Sequence, residues 1–475
     1  MNDTFDVIIV GAGLSGLLTG AMLSNQNLKV CILEKNTQIG GNIQPFRRQG
    51  YTFDTGMHFF GAVNSGQIQN EIFKIAGIEN NLNISKEIKG FKAYINNKLY
   101  EIPIGFTTYE NRLIEYFPDE SAGIKQYISK IKEIINGLTV YSIYSQSDKL
   151  IYLETGAEDF IASITKNDDL RKLLMFNDIL YNGYNNSCSL YLHAVITGSF
   201  LLSTGEFYEG TEQLINILRA KILSNSGKIE TSKKVIGYEI SDNKVISCTT
   251  DDNCKYTGEN FVFSGHPSLL TNNEFHNLLH PFLKKRIKRI KNSPGAFSIY
   301  VILKKNKFNY LETPVFFKQY NSNVYSFLLH TPQLNMVDNY ANTLKIMTLM
   351  NIDEIPDYKE YEAYKRTKKY QEYKREKAEE IFEIIERKFN GFKESIKDYY
   401  TSSPLTIMDF CGSPEGSAYG IIHDYKNYSV SSLSVKTKLQ NFFLTGQNIN
   451  FHGMTGVSVT AVLTCSAILN KNIYL

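Results

Sequence analysis

Residues Phe5–Gly20 read Phe-Asp-Val-Ile-Ile-Val-Gly-Ala-Gly-Leu-Ser-Gly-Leu-Leu-Thr-Gly, an apolar run that feeds straight into a glycine-spaced turn and then a helix. Val7–Val10 is continuous and apolar, as an inner strand of a parallel sheet covered on both faces must be. In the turn, Gly11 permits the tight bend, Gly13 lets the backbone approach a phosphate, and Gly16 lets the helix pack close to the strand. Leu14, Leu17, Leu18, Ala21 and Met22 recur at helical spacing, which points the helix dipole and the free N–H groups around Leu14 and Ser15 at the same place. A second strand, Lys29–Glu34, ends on a carboxylate about twenty residues after the glycines, where such folds place the acid that accepts ribose hydroxyls. Glu34, followed by Lys35, argues against a 2′-phosphate. The pattern predicts a dinucleotide site and leaves NAD and FAD open.

The other end of the chain carries a similar unit. Asn441–Gln447 reads as an apolar strand ending at Gly446, and Gly453 and Gly456 precede a small-residue helix from Val457 to Leu469. Between the two ends stand the paired glycines Gly40 and Gly41, then Gly50-Tyr-Thr-Phe-Asp-Thr-Gly-Met-His58-Phe-Phe-Gly61. Further on come Leu192-His-Ala194 with Gly205-Glu-Phe-Tyr-Glu-Gly210, and Gly412-Ser-Pro-Glu-Gly-Ser-Ala-Tyr-Gly420. In order and spacing these segments resemble the large FAD-dependent family of phytoene desaturases, carotenoid isomerases, retinol saturases and amine oxidases, and the segment with His58 and Gly61 is most similar to the isomerases and saturases. The resemblance implies FAD, with Gly446, Gln447, Gly456 and Val457 at the ribityl chain, pyrophosphate and ring edge, and Val235 at the adenine. It also implies that His58, Phe59 and Phe60 lie near flavin and substrate, with His58 able to orient the ring or move a proton. Tyr184, His193 and Tyr419 are further candidates at the substrate. One departure is Gln447, where many members carry an acid; an amide still donates and accepts hydrogen bonds to a ribityl hydroxyl or phosphate.

With 475 residues the chain has room for two or three interleaved subdomains. The two flavin motifs must meet in space, so the expected architecture is α/β: a discontinuous Rossmann-like FAD-binding domain (1–68, 205–272 and 405–475), a mostly helical cap (69–204) and a mixed-sheet substrate domain (273–404). Within these, Thr211–Leu223 has helical spacing, Gly227 is a stop, and Lys228–Val235, Val245–Thr250 and Ala296–Leu303 read as strands. A helix is expected from about Tyr361 to Phe389, its Tyr358, Tyr361, Tyr364, Tyr370 and Tyr373 on a solvated face. Lys284, Lys285, Arg286, Lys288, Arg289 and Lys291 surround Leu283, Ile287 and Ile290 at helical spacing, which reads as a solvated helix face or an interfacial basic helix.

A formal charge of +3 with mixed signs carries no nucleic-acid signature, and the six cysteines have no metal-ligand or C-x-x-C spacing. The polar opening passes directly into the first strand without a secretory leader, and the most apolar run, Leu190–Leu202, is short and contains His193. These features predict a cytoplasmic protein, peripheral to the inner face of a membrane at most, with an apolar small-molecule substrate, no metal and no protein partner. The activity the resemblance implies is reduction, isomerisation or desaturation of C=C bonds in a polyene or similar lipid, with NAD(P)H as an external electron donor. The alternatives are an amine oxidase acting on a soluble amine and a non-catalytic flavin-binding protein.

Overall fold

The computed structural model describes residues 4–85, 88–136, 150–181, 187–275, 277–318, 326–361 and 365–473. Its first seven-stranded sheet is built around β1 (Thr4–Val10), whose Val7, Ile8 and Ile9 are fully buried. On one side β1 pairs in parallel with β2 (Val30–Leu33), Val7 opposite Val30 and Val10 opposite Leu33. On the other it pairs in parallel with Lys255–Phe263, Val10 opposite Phe263. That strand is shared along its far edge. Its first residues pair antiparallel with Lys244–Thr250, whereas its last three pair in parallel with Phe442–Leu444. The expected strand Lys228–Val235 is two strands: Lys228–Glu230 extends the sheet beyond β2, and Val235–Ser241 runs antiparallel to Lys244–Thr250. Ser232, at φ +54°, breaks the run between them.

The helix α1 (Leu14–Ser24) is buried along nearly its whole length between Thr211–Ser224 and Gly453–Leu469. Close approach is what the small residues are for: a Cβ on Gly20 would stand 2.9 Å from Ile32 Cδ1 and 3.2 Å from Ile222 Cδ1, and a Cβ on Gly16 would overlap the Gly11 carbonyl oxygen. The Ser15 and Thr445 hydroxyls, 430 positions apart, share a 2.7 Å hydrogen bond across the junction of the two chain ends.

The second seven-stranded sheet has the order Ile396–Ser402, Gly295–Leu303, Thr343–Met350, Ser326–His330, Val315–Lys318, Gly90–Ile95, Lys98–Pro103. All its pairings are antiparallel except that of Val315–Lys318 with Gly90–Ile95. The hairpin Gly90–Pro103 lies within the mostly helical segment 69–204 and joins the second sheet. Its two-residue turn is Asn96-Asn97, both at positive φ (48° and 70°), as a hairpin with the native strand twist requires. Gly295–Leu303 is buried on both faces throughout. One face of this sheet packs on Lys368–Glu386, which starts at Thr367, whose hydroxyl accepts the Tyr370 N–H at 3.3 Å. Tyr358 and Tyr361 precede that helix, Tyr370 is buried in it, and Tyr364 lies outside the described residues, so the tyrosine run is not a solvated face.

Helices Phe106–Tyr116, Ser121–Ile135, Ala157–Ile164, Asp168–Leu174 and Leu190–Leu202 form the cap, the last of them buried almost all round. Among the described residues no helix is long and apolar enough to cross a membrane. The basic helix is only Pro281–Ile287, shorter than the 283–291 pattern suggested. None of the six cysteines is in a disulfide.

Gly16→Ala tests the close packing of α1. The added methyl's two nearest contacts are backbone atoms of Gly11, which cannot turn aside, so α1 must shift; a loss of about 1–3 kcal/mol is expected, as for other overpacked sites, read as a lower midpoint in chemical denaturation.

Candidate functional site

The N-termini of α1 and of Gly453–Leu469 open on one continuous cavity of ≈ 980 Å³. Gly11, Gly13, Leu14 and Ser15 line it at the first turn. A Cβ on Gly13 would meet no protein atom within 4 Å, so the bare backbone there faces open space, the cradle a pyrophosphate needs. Gly16 is not on the cavity wall, and its lack of a Cβ serves helix packing. At the end of β2, Glu34 accepts the Ala12 N–H at 2.8 Å and the Asn36 N–H at 2.9 Å. A carboxylate has about four lone-pair sites, so two remain for hydroxyls of a ribose. Lys35, Gly40, Gly41 and Val235 line the same end, and the Gly40 N–H donates to the Ala12 carbonyl at 2.8 Å, tying that loop to the turn. Gly446, Gln447, Gly456 and Val457 line the cavity from the other chain end. A Cβ on Gly456 would overlap the Phe451 carbonyl, so this helix also starts in tight contact.

Beyond the turn the wall changes character. His58, Phe59 and Phe60 line it together with Leu180, Leu192, Val195, Ile196 and Phe200. The Phe59 ring packs 5.2 Å from Phe91 and 5.4 Å from Phe200, and Phe91 stands 5.9 Å from Phe316 of the second sheet. Tyr419 is on the wall, its hydroxyl donated to the Ile179 carbonyl at 2.7 Å. His193 is not on the wall: it is fully buried, its two ring nitrogens 2.8 Å from the Tyr127 hydroxyl and 2.7 Å from the Tyr181 hydroxyl, and burial pushes its pKa down to about 3. It is a satisfied core histidine. Tyr184 lies outside the described residues.

His58 is the opposite case. Its Nε2 is buried with no hydrogen-bond partner, and burial, then Lys345, then His330 hold its pKa well below the usual histidine range. Around it stand Asp54 and Glu206, from the Gly50–Gly61 and Gly205–Gly210 segments, and His330 and Lys345, which no local motif marked. His330 Nε2 pairs with Glu206 Oε2 at 3.0 Å, both side chains buried. Lys345 Nζ donates to the Thr55 carbonyl and lies 5.5 Å above the Tyr300 ring; burial pushes its pKa down to about 7, which neighbouring Asp54 partly offsets. Asp54 Oδ1 accepts the Thr211 N–H at 3.0 Å and the Thr211 hydroxyl at 2.5 Å, and burial raises its pKa. His452, also missed, lines the cavity 4.6 Å from the Tyr419 ring, and burial, with His423 adding, lowers its pKa to about 3. Among the described residues no group of three or more His, Cys, Asp or Glu side chains is arranged to hold a metal.

Fold and cavity together define a dinucleotide-binding protein with a discontinuous Rossmann-like domain and a second sheet closing over it. Residues 9–75 match the family model of the NAD(P)-binding Rossmann-like domain. The chain is 22% identical to human all-trans-retinol 13,14-reductase over 99% of its own length and 87% of that protein. It is 24% identical to prolycopene isomerase 2 of an Oncidium hybrid cultivar over 31% of its length and 26% of that protein. Among solved structures, putrescine oxidase bound to putrescine superposes with a TM-score of 0.68 at 12% identity, covering 99% of this chain and 100% of that one, and so shares the fold. The chain is thus similar over nearly its whole length to all-trans-retinol 13,14-reductases, and over shorter segments to a prolycopene isomerase and a diapophytoene desaturase.

Gly13→Val is the counterpart of the packing variant. Its side chain has room in the folded protein, so the melting curve should hold while bound dinucleotide, measured as cofactor released on denaturation, falls to background. A second expectation concerns acid. His193, His423 and His452 have folded pKa values lowered by burial to about 3, about 4 and about 3. The unfolded chain therefore binds more protons below an ordinary histidine pKa of about 6.5. Stability is then fully present above that value and is lost as pH falls towards 4, read as a falling thermal midpoint.

Proposed function

We propose that the protein is a flavin-dependent oxidoreductase that binds FAD and acts on C=C bonds of a polyene or another apolar lipid. The observation that carries this reading is the large continuous cavity: polar and glycine-lined at the dinucleotide turn, aromatic and aliphatic beyond His58. The open space at Gly13 and the two converging helix N-termini fit a dinucleotide. When bound, the flavin supplies hydride or electron exchange, and the protein supplies binding, orientation and exclusion of water. The Leu14 and Ser15 N–H groups would hold the pyrophosphate, Glu34 the ribose, Val235 the adenine, and Gly446, Gln447, Gly456 and Val457 the ribityl chain and ring edge. Phe59, Phe60 and Phe200 would hold an apolar chain that offers few hydrogen bonds, with His58 at hand to exchange a proton. NAD(P)H is the proposed external electron donor.

Two of the named relatives act, by their names, on a retinoid and a carotenoid, which supports the substrate class. An oxidase of soluble amines is less well supported. The only carboxylates on the wall of the cavity, among the described residues, are Glu34 and Glu274, in the segments that also hold Lys35 and Phe275, away from His58 and Phe59. An ammonium substrate would find no counter-charge there.

The test is to mix anaerobically reduced protein with a panel of retinoids and carotenoids. Saturation shortens the chromophore and shifts absorbance to the blue, isomerisation changes chromatographic retention, and desaturation by oxidised protein shifts absorbance to the red. No product with any polyene, or a flavin that cannot be reduced and reoxidised, would remove this reading.

Contact with a membrane surface is proposed at Pro281–Ile287, where Phe282 is 79% exposed beside Lys284, Lys285 and Arg286. Lys284 Nζ also donates to the Phe275 carbonyl at 3.2 Å, and the Phe275 ring packs on Tyr238, 5.8 Å away in the strand that begins at Val235. The patch therefore flanks the nucleotide end, where it would anchor the protein rather than deliver substrate. Phe282→Asp is expected to weaken flotation with anionic vesicles about tenfold, the scale of one large apolar side chain; unchanged flotation would dismiss the patch.

A further inference from the structure

Behind His58 lies a second, small cavity of ≈ 20 Å³, walled by Asp54, Glu206, His330 and Lys345 among others. Met57 and His58 are the residues that line both this cavity and the large one, so the imidazole is the polar partition between them. The wall is assembled from separate parts of the fold. Asp54 and His58 come from the loop ahead of Phe60–Gly61, and Glu206 from Thr204–Phe207, which pairs with those two residues. His330 and Lys345 face each other across neighbouring antiparallel strands of the second sheet. A void needs about 10–15 Å³ and two or more polar partners to hold a water. This one has the room, and His58, whose Nε2 has no partner among protein atoms, lines it.

We propose that this cluster is a proton relay for the C=C chemistry: His58 exchanges a proton with substrate at the wall of the large cavity, and Lys345 refills or empties it through one water in the small cavity. The inference rests on the functional reading above and adds a source for the proton. In the reducing direction bound reduced flavin would supply a hydride, with its electron pair, to one alkene carbon. The His58 N–H bond breaks as its proton forms the C–H bond at the other carbon. In the same step the other ring nitrogen takes a proton from the bridging water as the water takes one from the Lys345 ammonium, so the ring passes to its other neutral tautomer and leaves a neutral amine that solvent reprotonates after turnover. Desaturation runs each step backwards. His58 is the catalytic residue; Lys345 acts through it, and Asp54, His330 and Glu206 are positioning residues.

The electrostatics fit these roles. His58 is held neutral at neutral pH, whereas Lys345, at about 7, is the member that changes charge there. The groups that face it are Asp54 and the Thr55 carbonyl from the loop, His330 from the adjacent strand with Glu206 behind it, and the Tyr300 ring from the strand on its other side. A buried lysine needs a reason to stay ionisable beside a substrate wall, and a relay gives one.

The test follows single turnover of the reduced holoenzyme with a polyene across neutral pH. The wild-type rate should fall above an inflection near pH 7, where Lys345 loses its proton. Lys345→Arg keeps the positive charge beside Asp54 but cannot release a proton; it should lose the inflection and slow by 10²-fold or more, the scale of general acid–base catalysis, with polyene affinity unchanged. An inflection retained in that variant overturns the relay. Should the arginine variant fail to fold, Glu206→Gln serves: removing the negative charge behind His330 should move the inflection to lower pH, and an unmoved inflection counts against the proposal. A readout independent of turnover is NMR of the protein labelled with ¹³Cε-lysine. One lysine, missing from the Lys345→Arg spectrum, should titrate near pH 7; if every lysine titrates in the ordinary range, the relay falls. Absence of turnover with every polyene, alongside a lysine titrating near 7, would instead fault the substrate reading.

Discussion

Thr445, at the end of the last strand of the first sheet, shares its hydroxyl hydrogen bond with Ser15 in the first turn of the first helix, 430 positions away in the chain. By itself such a bond contributes about 1 kcal/mol. It matters because of where it stands: both helix N-termini that open on the cavity are set by the strands this bond joins. Phe442–Leu444 can reach that place only because Lys255–Phe263 leaves the upper half of its edge free, its lower half being taken by Lys244–Thr250. The cavity therefore has no existence in either end of the chain alone. Everything between the two ends is inserted between the two parts of one cradle.

That constraint explains which parts of the molecule could be read from sequence. The glycine turn was legible because its requirements are local: each glycine answers to a backbone contact within a few residues, as Gly16 does to the Gly11 carbonyl. The helices Leu14–Ser24 and Thr211–Ser224 were legible for the same reason. Gly90–Pro103 was not. Its outer pairing is with Val315–Lys318, more than two hundred positions downstream, and a window dominated by neighbouring helical periodicity conceals it. The one local clue, Asn96-Asn97 between two β-rich runs, is a hairpin signal that composition alone understates. The split of Lys228–Val235 escaped notice because both pieces are strand-like and only Ser232, a residue that rarely takes positive φ, separates them.

Site residues divide along the same line. Glu34 and the residues of the first turn sit at fixed offsets from the glycines, so spacing sufficed to find them. Glu206, His330 and Lys345 come from strands far apart in sequence, and register, not spacing, brings them to His58. His330 and Lys345 are direct partners across two strands, yet nothing in the order of residues says that those strands are neighbours. A histidine and a lysine side by side in this sheet are a signal only once pairing is known.

Two buried histidines show what the structure adds to a residue's name. Both His58 and His193 have pKa values pushed down by burial. His193 has a tyrosine hydroxyl at each ring nitrogen and no share in the cavity, so its polarity is spent on holding Ser121–Ile135 and the segment around Tyr181 against Leu190–Leu202. His58 keeps an unpartnered nitrogen at a boundary between two cavities, with a lysine, a histidine and two carboxylates behind it. An unsatisfied buried nitrogen costs stability unless something completes it. A core that satisfies His193 fully, yet leaves His58 open where flavin and substrate are proposed to lie, keeps its incomplete polar group where a proton must move.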